Sequence, residues 1–192
     1  VFLVCCWVIF FSFSHSSPIL ARRDLFWIFA WMGIPLFFVP LLAFLDVTSE
    51  EYRRGYTWLM QWGIAPPVAT FLFMSLRKIS WQRSTFKDEG LAAFFLSAVL
   101  LILGFAFGAS IRGPDMRVPG HYHASIGAVT LAFMFMNHLA LGGVRNRKMS
   151  RSIWIYGAGQ IVFASGMFLA GFFGMPRKTY GAEHVLTHWG QS

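Results

Sequence analysis

The sequence contains few charged residues and few cysteines. Only 12% of its 192 residues are Asp, Glu, Lys or Arg, about half of the roughly 25% that is usual in soluble domains. The two cysteines, Cys5 and Cys6, are adjacent within an apolar run, so neither a mutual disulfide nor a C-x-x-C metal or redox site is predicted. Because 56% of the residues are hydrophobic, the scarcity of charge excludes a water-soluble domain of this size.

Several catalytic and nucleotide-binding patterns are also absent. The sequence has no Ser-His-acid set, no glycine-rich phosphate loop and no dinucleotide fingerprint. No carboxylate lies in the middle of an apolar segment, which argues against an ion-coupled transporter, although the Pro66-Pro67 pair is typical of broken transporter helices. The net charge of +8 comes from residues between the apolar segments, so the positive-inside rule explains it and no nucleic-acid partner is predicted.

The apolar segments predict an all-α integral membrane protein forming a single transmembrane domain over residues 1–192. About 20 apolar residues suffice for a helix to cross a bilayer. We expect a bundle of five full transmembrane helices plus a partial N-terminal one, followed by a polar tail at 175–192. The predicted spans are about 1–13 (partial), 24–46, 56–76, 91–111, 121–143 and 152–174.

The first segment is expected to be the end of a spanning helix whose start lies outside this chain. It has no basic region before its apolar residues, as a signal peptide would have, and 13 residues are too few to span a bilayer. The sequence therefore predicts the C-terminal part of something larger.

Lys and Arg are distributed unevenly over the connecting segments. The segments 77–90 and 144–151 carry four each, whereas 47–55 and 112–120 carry two each. By the positive-inside rule the first two segments face the cytoplasm. The segment 112–120 then faces outward, towards the periplasm if the protein lies in a bacterial inner membrane.

Two histidines, His121 and His123, follow the polar segment 112–120. Imidazole at a membrane boundary is a functional candidate, and the alternative is a snorkelling or loop histidine. Residues two apart on a helix point about 200° apart, so the two imidazoles could bind two separate centres, such as hemes on opposite faces of one helix. An H-x-H pattern alone is weak evidence, and both interpretations stay open at this point.

Other polar residues have weaker functional interpretations. Arg177 and Lys178 follow the last span, where cations could hold carboxylates such as heme propionates or could simply snorkel. Asp115 lies beside Arg112 and Arg117, and a local ion pair is its plain interpretation. The remaining histidines are interpreted as solvated or interfacial, and no third zinc ligand accompanies the last two: His15, His138, His184 and His188.

Three segments together resemble the catalytic subunit I of heme-copper oxidases and nitric oxide reductases. Residues 118–129, VPGHYHASIGAV, are similar to the start of that family's tenth helix, and residues 104–116, GFAFGASIRGPDM, to its ninth helix and acidic outer loop. Residues 168–178, FLAGFFGMPRK, are similar to the end of the following helix, with lysine in place of the last arginine. The resemblance covers about residues 101–180, and its motifs occur in the family's order.

The resemblance implies a membrane oxidoreductase subunit that binds one or two hemes. It implies that His121 is the proximal ligand of a high-spin heme and that His123 is an axial ligand of a low-spin heme. It also implies that Arg177 and Lys178 hold heme propionates, with Asp115 in the acidic loop near them.

The same resemblance argues against copper. The span 24–46 takes the place of the helix that carries two adjacent copper-ligating histidines in that family, yet it contains no histidine. A complete copper centre is therefore not expected. Reduction of oxygen to water by this chain alone is not expected either. The resemblance instead implies electron transfer or redox chemistry of a small ligand.

Two function hypotheses follow. The first is a heme-binding membrane subunit, with a lipid bilayer, other membrane subunits and a cytochrome c or quinol electron donor as partners. The second is a cofactor-free structural or assembly subunit of a membrane respiratory or oxygenase complex, which the missing histidines favour. A heme spectrum distinguishes the two.

Overall fold

The computed structural model describes residues 2–14, 20–79, 88–142 and 147–177, and most of these residues are helical. Within these ranges the helices are α1 (Phe2–Ser14), α2 (Arg22–Leu42), α3 (Glu50–Gly63), α4 (Ala65–Lys78), α5 (Glu89–Ala109), α6 (Arg117–Ala140) and α7 (Arg147–Phe172). Apart from one isolated antiparallel bridge, these described ranges contain no strand. The predicted all-helical class is therefore confirmed.

Four helical segments of the described chain are long and apolar enough to cross a membrane, as judged by length and composition: Arg22–Leu42, Glu50–Lys78, Glu89–Ala109 and Lys148–Phe172. They are compatible with the membrane protein that the composition predicts. α6 is not among them, although it has 24 residues. Polar residues lower its hydropathy, since it carries three histidines as well as Arg117 and Asn137. The count of five full spans stays a prediction.

The chain divides into two compact units, of which unit 1 comprises Val1–Trp81. Its α2 continues through Pro35 and Pro40, although each proline removes one backbone donor from the helix. The predicted span 56–76 lies within Glu50–Lys78, which is long and apolar enough to cross a membrane. The helix is interrupted inside this span, because α3 ends at Gly63 and α4 starts at Ala65. The Pro66-Pro67 pair explains the break, since proline is favoured in the first turn of a helix and disfavoured in its interior.

The charged segment 47–55 was expected to be a loop, but most of it is helical. The side chain of Ser49 accepts a hydrogen bond from the backbone N–H of Tyr52 at 3.1 Å, and so caps the start of α3. Glu50 and Glu51 occupy the first turn, where the helix dipole favours negative charge. The helix therefore begins within the charged segment, six residues before the predicted span.

Unit 2 comprises Gln82–Ser192, and its three helices α5, α6 and α7 each contact the other two. The rings of Phe107 and Phe168 stack with centroids 4.2 Å apart, above the buried Ala124 and Ala164. Near the middle of the bundle the buried hydroxyl of Ser97 donates to the backbone oxygen of Ala128 at 2.9 Å. The described part of unit 2 is thus a bundle of three helices, held by close apolar contacts and by buried interhelical hydrogen bonds such as that of Ser97.

The boundaries of α6 and α7 differ from the predicted spans. α6 begins at Arg117, four residues before the predicted start, so His121 lies within the helix and not at its first residue. α7 begins at Arg147, within the segment 144–151 that was predicted to be a loop. Helices therefore extend into segments that are polar or basic. Hydropathy predicts which residues can be buried in lipid, but it does not by itself predict at which residue a helix begins or ends.

Candidate functional site

The candidate site lies at the end of unit 2 where the segment before α6 meets the segment after α7. The backbone N–H of Met116 donates to the oxygen of Met175, and that of Arg177 donates to the oxygen of Pro114, each at 3.1 Å. Asp115 and Pro176 form the isolated antiparallel bridge. The two sequence segments GPDM and GMPR, which are distant in the chain, are therefore joined directly. We call residues 110–123 and 175–177 the mouth site.

An ion pair between Asp115 and Arg117 organises the mouth site. The Nε–H of Arg117 donates to both carboxylate oxygens at 2.9 Å, its Nη2 contacts Oδ2, and its Nη1 donates to the backbone oxygen of Ser110 at 2.9 Å. Hydrogen bonds from Arg117 lower the pKa of the Asp115 carboxyl below its ordinary value. Of the two arginines that the sequence analysis placed beside Asp115, Arg117 and not Arg112 is the partner.

His121 is directed towards α5. Its Nδ1 lies 2.7 Å from the backbone oxygen of Gly104. Because a carbonyl oxygen only accepts hydrogen bonds, Nδ1 is the donor, and Nε2 of a neutral imidazole then keeps its lone pair. A side-chain carbon at Gly108 would lie only 2.9 Å from Nδ1. Gly108 therefore provides the space that this imidazole occupies, whereas a side-chain carbon at Gly104 would meet Ser125.

His123 is directed towards α7, away from the side on which His121 lies. Its ring meets the ring of Phe163 edge to face, with centroids 4.9 Å apart and planes at 81°. Both imidazoles are half-buried. Tyr122, between them, is 51% exposed. The two histidines thus lie at two different helix contacts, α5–α6 and α6–α7, and the structure does not bring their rings together.

The remaining predicted site residues are only partly described. Arg177 is exposed, and its backbone is held by Pro114 as described above. Lys178 lies outside the described residues, as do His15, His184 and His188. Within the described ranges, no group of three or more His, Cys, Asp and Glu side chains could hold a metal ion.

One ionisable contact was missed by the sequence analysis. Glu89 belongs to a segment predicted to be a polar loop, yet it begins α5 and is 4% exposed. The Nε2 of His138, near the end of α6, lies 4.0 Å from its Oε2. The available signal was the position of Glu89 directly before an apolar run, where a carboxylate suits a helix N-terminus. His138, interpreted as interfacial, is half-buried.

Comparison with known proteins gives little independent information about this site. No protein-family model matches the chain, and no solved structure matches it. The chain is similar to a protein of Aquifex aeolicus (strain VF5) that is described as uncharacterized, with 30% identity over 115 residues. The match covers 55% of this chain and 27% of that relative, so the chain spans about a quarter of the length of the curated relative.

Proposed function

We propose that unit 2 is the heme-binding part of a membrane subunit similar to heme-copper oxidase subunit I. It would carry electrons, or support redox chemistry of a small ligand, without a complete copper centre. The observation that carries this proposal is the hydrogen bond between His121 Nδ1 and the oxygen of Gly104. Metal-ligating histidines commonly donate their second ring N–H to a carbonyl or carboxylate, which fixes the tautomer and the ring orientation. His121 has this arrangement, with Nε2 left as the ligating atom.

His123 is the candidate ligand for a second heme on the α7 side. Beside its imidazole lies the ring of Phe163, which is 47% exposed. Flat, apolar cofactors bind among aromatic and aliphatic side chains with a few polar groups that set their orientation. An imidazole next to a half-exposed aromatic ring at the edge of the bundle is suited to such a cofactor.

Arg177 is the candidate cation for a heme propionate. Arg117 already donates to Asp115 and to the oxygen of Ser110, so its guanidinium is occupied. The side chain of Arg177 is exposed at the same end of unit 2. An arginine in this position can form a charge-assisted pair with a carboxylate of the cofactor. When bound, heme would supply a one-electron redox centre, while these residues bind and orient it.

Exposed apolar side chains of unit 1 support the proposed bilayer and membrane-subunit partners. On α2 they are 63–80% exposed: Phe26, Trp27, Leu36 and Phe37. Apolar surface of this extent requires lipid or another apolar surface against it. We propose a bacterial inner membrane as the location and a cytochrome c or a quinol as the electron donor.

The test of heme binding is a visible spectrum of the full chain purified with its natural partners, oxidised and then reduced with dithionite. We expect a heme Soret band that shifts on reduction. His123→Ala should remove the low-spin component and keep the high-spin one, and His121→Ala should do the reverse. A preparation that assembles normally but shows no Soret band would overturn the proposal.

A glycine exchange tests the role of the His121 hydrogen bond separately. In Gly108→Val the new side chain would push against the imidazole. We expect heme affinity to fall about 10–100-fold, the usual cost of disturbing the residues that orient a metal ligand. Gly113→Val is the matched control, since a side-chain carbon there meets no atom within 4 Å. Equal heme titration curves for both variants would contradict the proposed role.

The second candidate function is a cofactor-free structural or assembly subunit. The ring contact of His123 with Phe163 favours it, because an imidazole can serve simply as a packed side chain. This function predicts that His121→Ala and His123→Ala leave assembly and activity of the complex unchanged. A clear loss of activity with assembly intact would count against it.

A further inference from the structure

Two cavities lie side by side in unit 1, where the end of α2 meets α3. The first has a volume of about 480 Å³, and its lining is apolar apart from Arg54: Phe38, Leu41, Leu42, Gly55, Trp58 and Leu59. The second has a volume of about 510 Å³ and a mostly polar lining: Glu50, Arg53, Arg54, Thr57, Trp58 and Gln61. Arg54 and Trp58 line both cavities. We call the two cavities together the α2–α3 groove.

The apolar cavity has a closed floor and an open side. A side-chain carbon at Gly55 would lie only 2.7 Å from Cδ2 of Leu42, so this glycine allows α2 and α3 to approach each other closely. Leu59 is 8% exposed, whereas Leu41 and Trp58 are 63% and 61% exposed. An apolar chain can therefore enter from the side and lie along the floor. The volume is also in the range of about 300–1,000 Å³ that small-molecule sites have.

The polar cavity contains more cations than anions. Arg54 pairs with Glu50 at 2.5 Å, and both side chains are largely exposed, so this pair contributes little to stability and can rearrange. Arg53 is exposed, and among the described residues no carboxylate pairs with it. Glu51 does not line the cavity. Two guanidinium groups thus face one carboxylate, and a guanidinium binds a phosphate through paired hydrogen bonds.

The groove lies near the beginning of a segment that can cross a membrane. This segment, Glu50–Lys78, starts just before the two arginines, and Trp58 lies one helical turn, about 6 Å, beyond Arg54. α3 is amphipathic, and basic and aromatic side chains are enriched where a span meets the lipid headgroups. The polar cavity is therefore expected at the level of the headgroups, beside an apolar cavity that faces the acyl chains.

We propose that the α2–α3 groove binds one anionic phospholipid. Arg53 and Arg54 bind its phosphate, and one acyl chain lies in the apolar cavity against Leu41, Trp58 and Leu59. Basic pockets between membrane helices bind anionic headgroups in this way. No covalent bond is made or broken. The proposal concerns unit 1 alone and does not depend on heme binding by unit 2.

Other occupants would match only half of the groove. A helix of another subunit, or of a second copy of this chain, would cover the apolar cavity but would bring no phosphate to Arg53. A free phosphate ion would pair with the arginines but would leave the apolar cavity open. An anionic phospholipid carries both the charge and the acyl chain that the two cavities accommodate.

The test is a lipid titration of the full chain in mild detergent, with fluorotryptophan in place of tryptophan and fluorine NMR as the readout. Trp58→Phe identifies the resonance of Trp58, which lines both cavities. Phosphatidylglycerol should shift this resonance until one lipid is bound per chain. Phosphatidylcholine with the same acyl chains should bind more weakly, because its headgroup has no net charge. Glycerol phosphate, which has no acyl chain, should cause no shift at the same concentration.

An arginine exchange tests the headgroup contact. Arg53→Gln should weaken phosphatidylglycerol binding by about fivefold, the usual contribution of one basic side chain near an anionic lipid surface. Binding of phosphatidylcholine should stay unchanged. Arg23→Gln is the matched control, since it removes the same charge from an exposed position at the start of α2 and should leave both affinities unchanged.

A leucine exchange tests the acyl-chain contact and keeps the test decisive if Arg53→Gln does not fold. Leu41→Asn should weaken both lipids by about tenfold, because the acyl chain loses an apolar neighbour. The ratio of the two affinities should stay as in wild type. Leu36→Asn is the control, since Leu36 is 69% exposed on the same helix and lines neither cavity.

Four results would each overturn the proposal. The two lipids bind wild type with equal affinity, or Arg53→Gln behaves as Arg23→Gln does. Glycerol phosphate alone shifts the Trp58 resonance, which would make the groove a site for free phosphate. The resonance shifts with protein concentration in the absence of lipid, which would show that a second copy of the chain covers the groove.

Discussion

The two ends of α6 both present an imidazole, but the partners of the two rings differ. His121 donates to the backbone oxygen of Gly104, a group that cannot take up a proton under ordinary conditions. His138 faces the carboxylate of Glu89, with 4.0 Å between Nε2 and Oε2. The comparison teaches that the partner sets what a ring nitrogen can do: a carbonyl oxygen only accepts and so fixes which nitrogen donates, whereas a carboxylate is an acceptor that can also carry charge.

The two ends also differ in how they are held. At the mouth site the contacts involve backbone: Met116 with Met175, Pro114 with Arg177, and a close approach of Gly171 to the backbone of Arg117. At the opposite end of unit 2 the contact is between side chains of two helices, Glu89 on α5 and His138 on α6, with Phe135 beside it. We therefore expect substitutions at the mouth site to displace backbone, and substitutions of Glu89 or His138 to change a contact between side chains.

The largest effect is expected from Gly171→Val at the mouth site. A side-chain carbon at Gly171 would overlap the backbone of Met116 and Arg117, and backbone cannot move aside as a flexible side chain can. Overpacking of a closed contact costs typically 1–3 kcal/mol and occasionally more, and we expect about 3 kcal/mol here. The measurement is the thermal unfolding midpoint of the full chain in detergent.

The matched control for this exchange lies on the same helix. A side-chain carbon at Gly166 meets no atom within 4 Å, so Gly166→Val should change the unfolding midpoint little. Equal midpoints for the two valine variants would show that the mouth site is not held by backbone contact.

An intermediate effect is expected from Ser97→Ala, between the two ends. The substitution removes the buried hydrogen bond to the oxygen of Ala128. Interhelical side-chain hydrogen bonds contribute about 0.6–1 kcal/mol, so the unfolding midpoint should fall modestly. Ser110→Ala is the control, because the hydroxyl of Ser110 bonds within its own helix, to Ala106. Equal midpoints for Ser97→Ala and Ser110→Ala would show that the buried hydrogen bond does not stabilise the bundle.

The smallest effect is expected from acid at the mouth site. The pKa of Asp115 is lowered in the folded protein by hydrogen bonds from Arg117, so its stabilising contribution is fully present above the ordinary value of 3.8. That contribution is lost as the pH falls through the lower, folded-state pKa. Wild type and Asp115→Asn should therefore differ in unfolding midpoint at neutral pH and converge in strong acid.

Arg112→Gln serves as the control for the acid experiment. Arg112 is exposed in the same loop, and Arg117, not Arg112, makes the bonds to Asp115. The Arg112→Gln variant should keep the acid dependence of wild type. If the acid dependence disappeared in Arg112→Gln, then Arg112, and not Arg117, would be the arginine that pairs with Asp115.

The sequence predicted the helical class and the divergence of the two mouth histidines. Apolar segments of sufficient length predict helices because a chain in lipid must satisfy its backbone hydrogen bonds internally. The angle of 100° per residue directs positions 121 and 123 to nearly opposite sides of α6, and the contacts with Gly104 and Phe163 agree with that expectation. The roles of His121, His123 and Arg177 at a heme stay predictions.

Hydropathy predicted helix boundaries less well than helix existence. The break between Gly63 and Ala65 lies inside a predicted span. Hydropathy, which is averaged over about 20 residues, does not detect such a break, because proline changes the backbone of only a few residues. In the same way, the helical starts at Glu50 and Arg117 lie in polar segments, where capping and local hydrogen bonds decide the boundary.

By itself the sequence determined the amounts of apolar and polar surface, the helical periodicity and the order of the motifs, since these are properties of composition and local geometry. Only the tertiary structure decided which distant groups meet. Asp115 meets Pro176 in the antiparallel bridge, and Glu89 meets His138, because α5, α6 and α7 pack side by side and bring those chain positions to common ends. Contacts between distant residues depend on how helices pack, and that packing is not encoded in the local pattern that surrounds either residue.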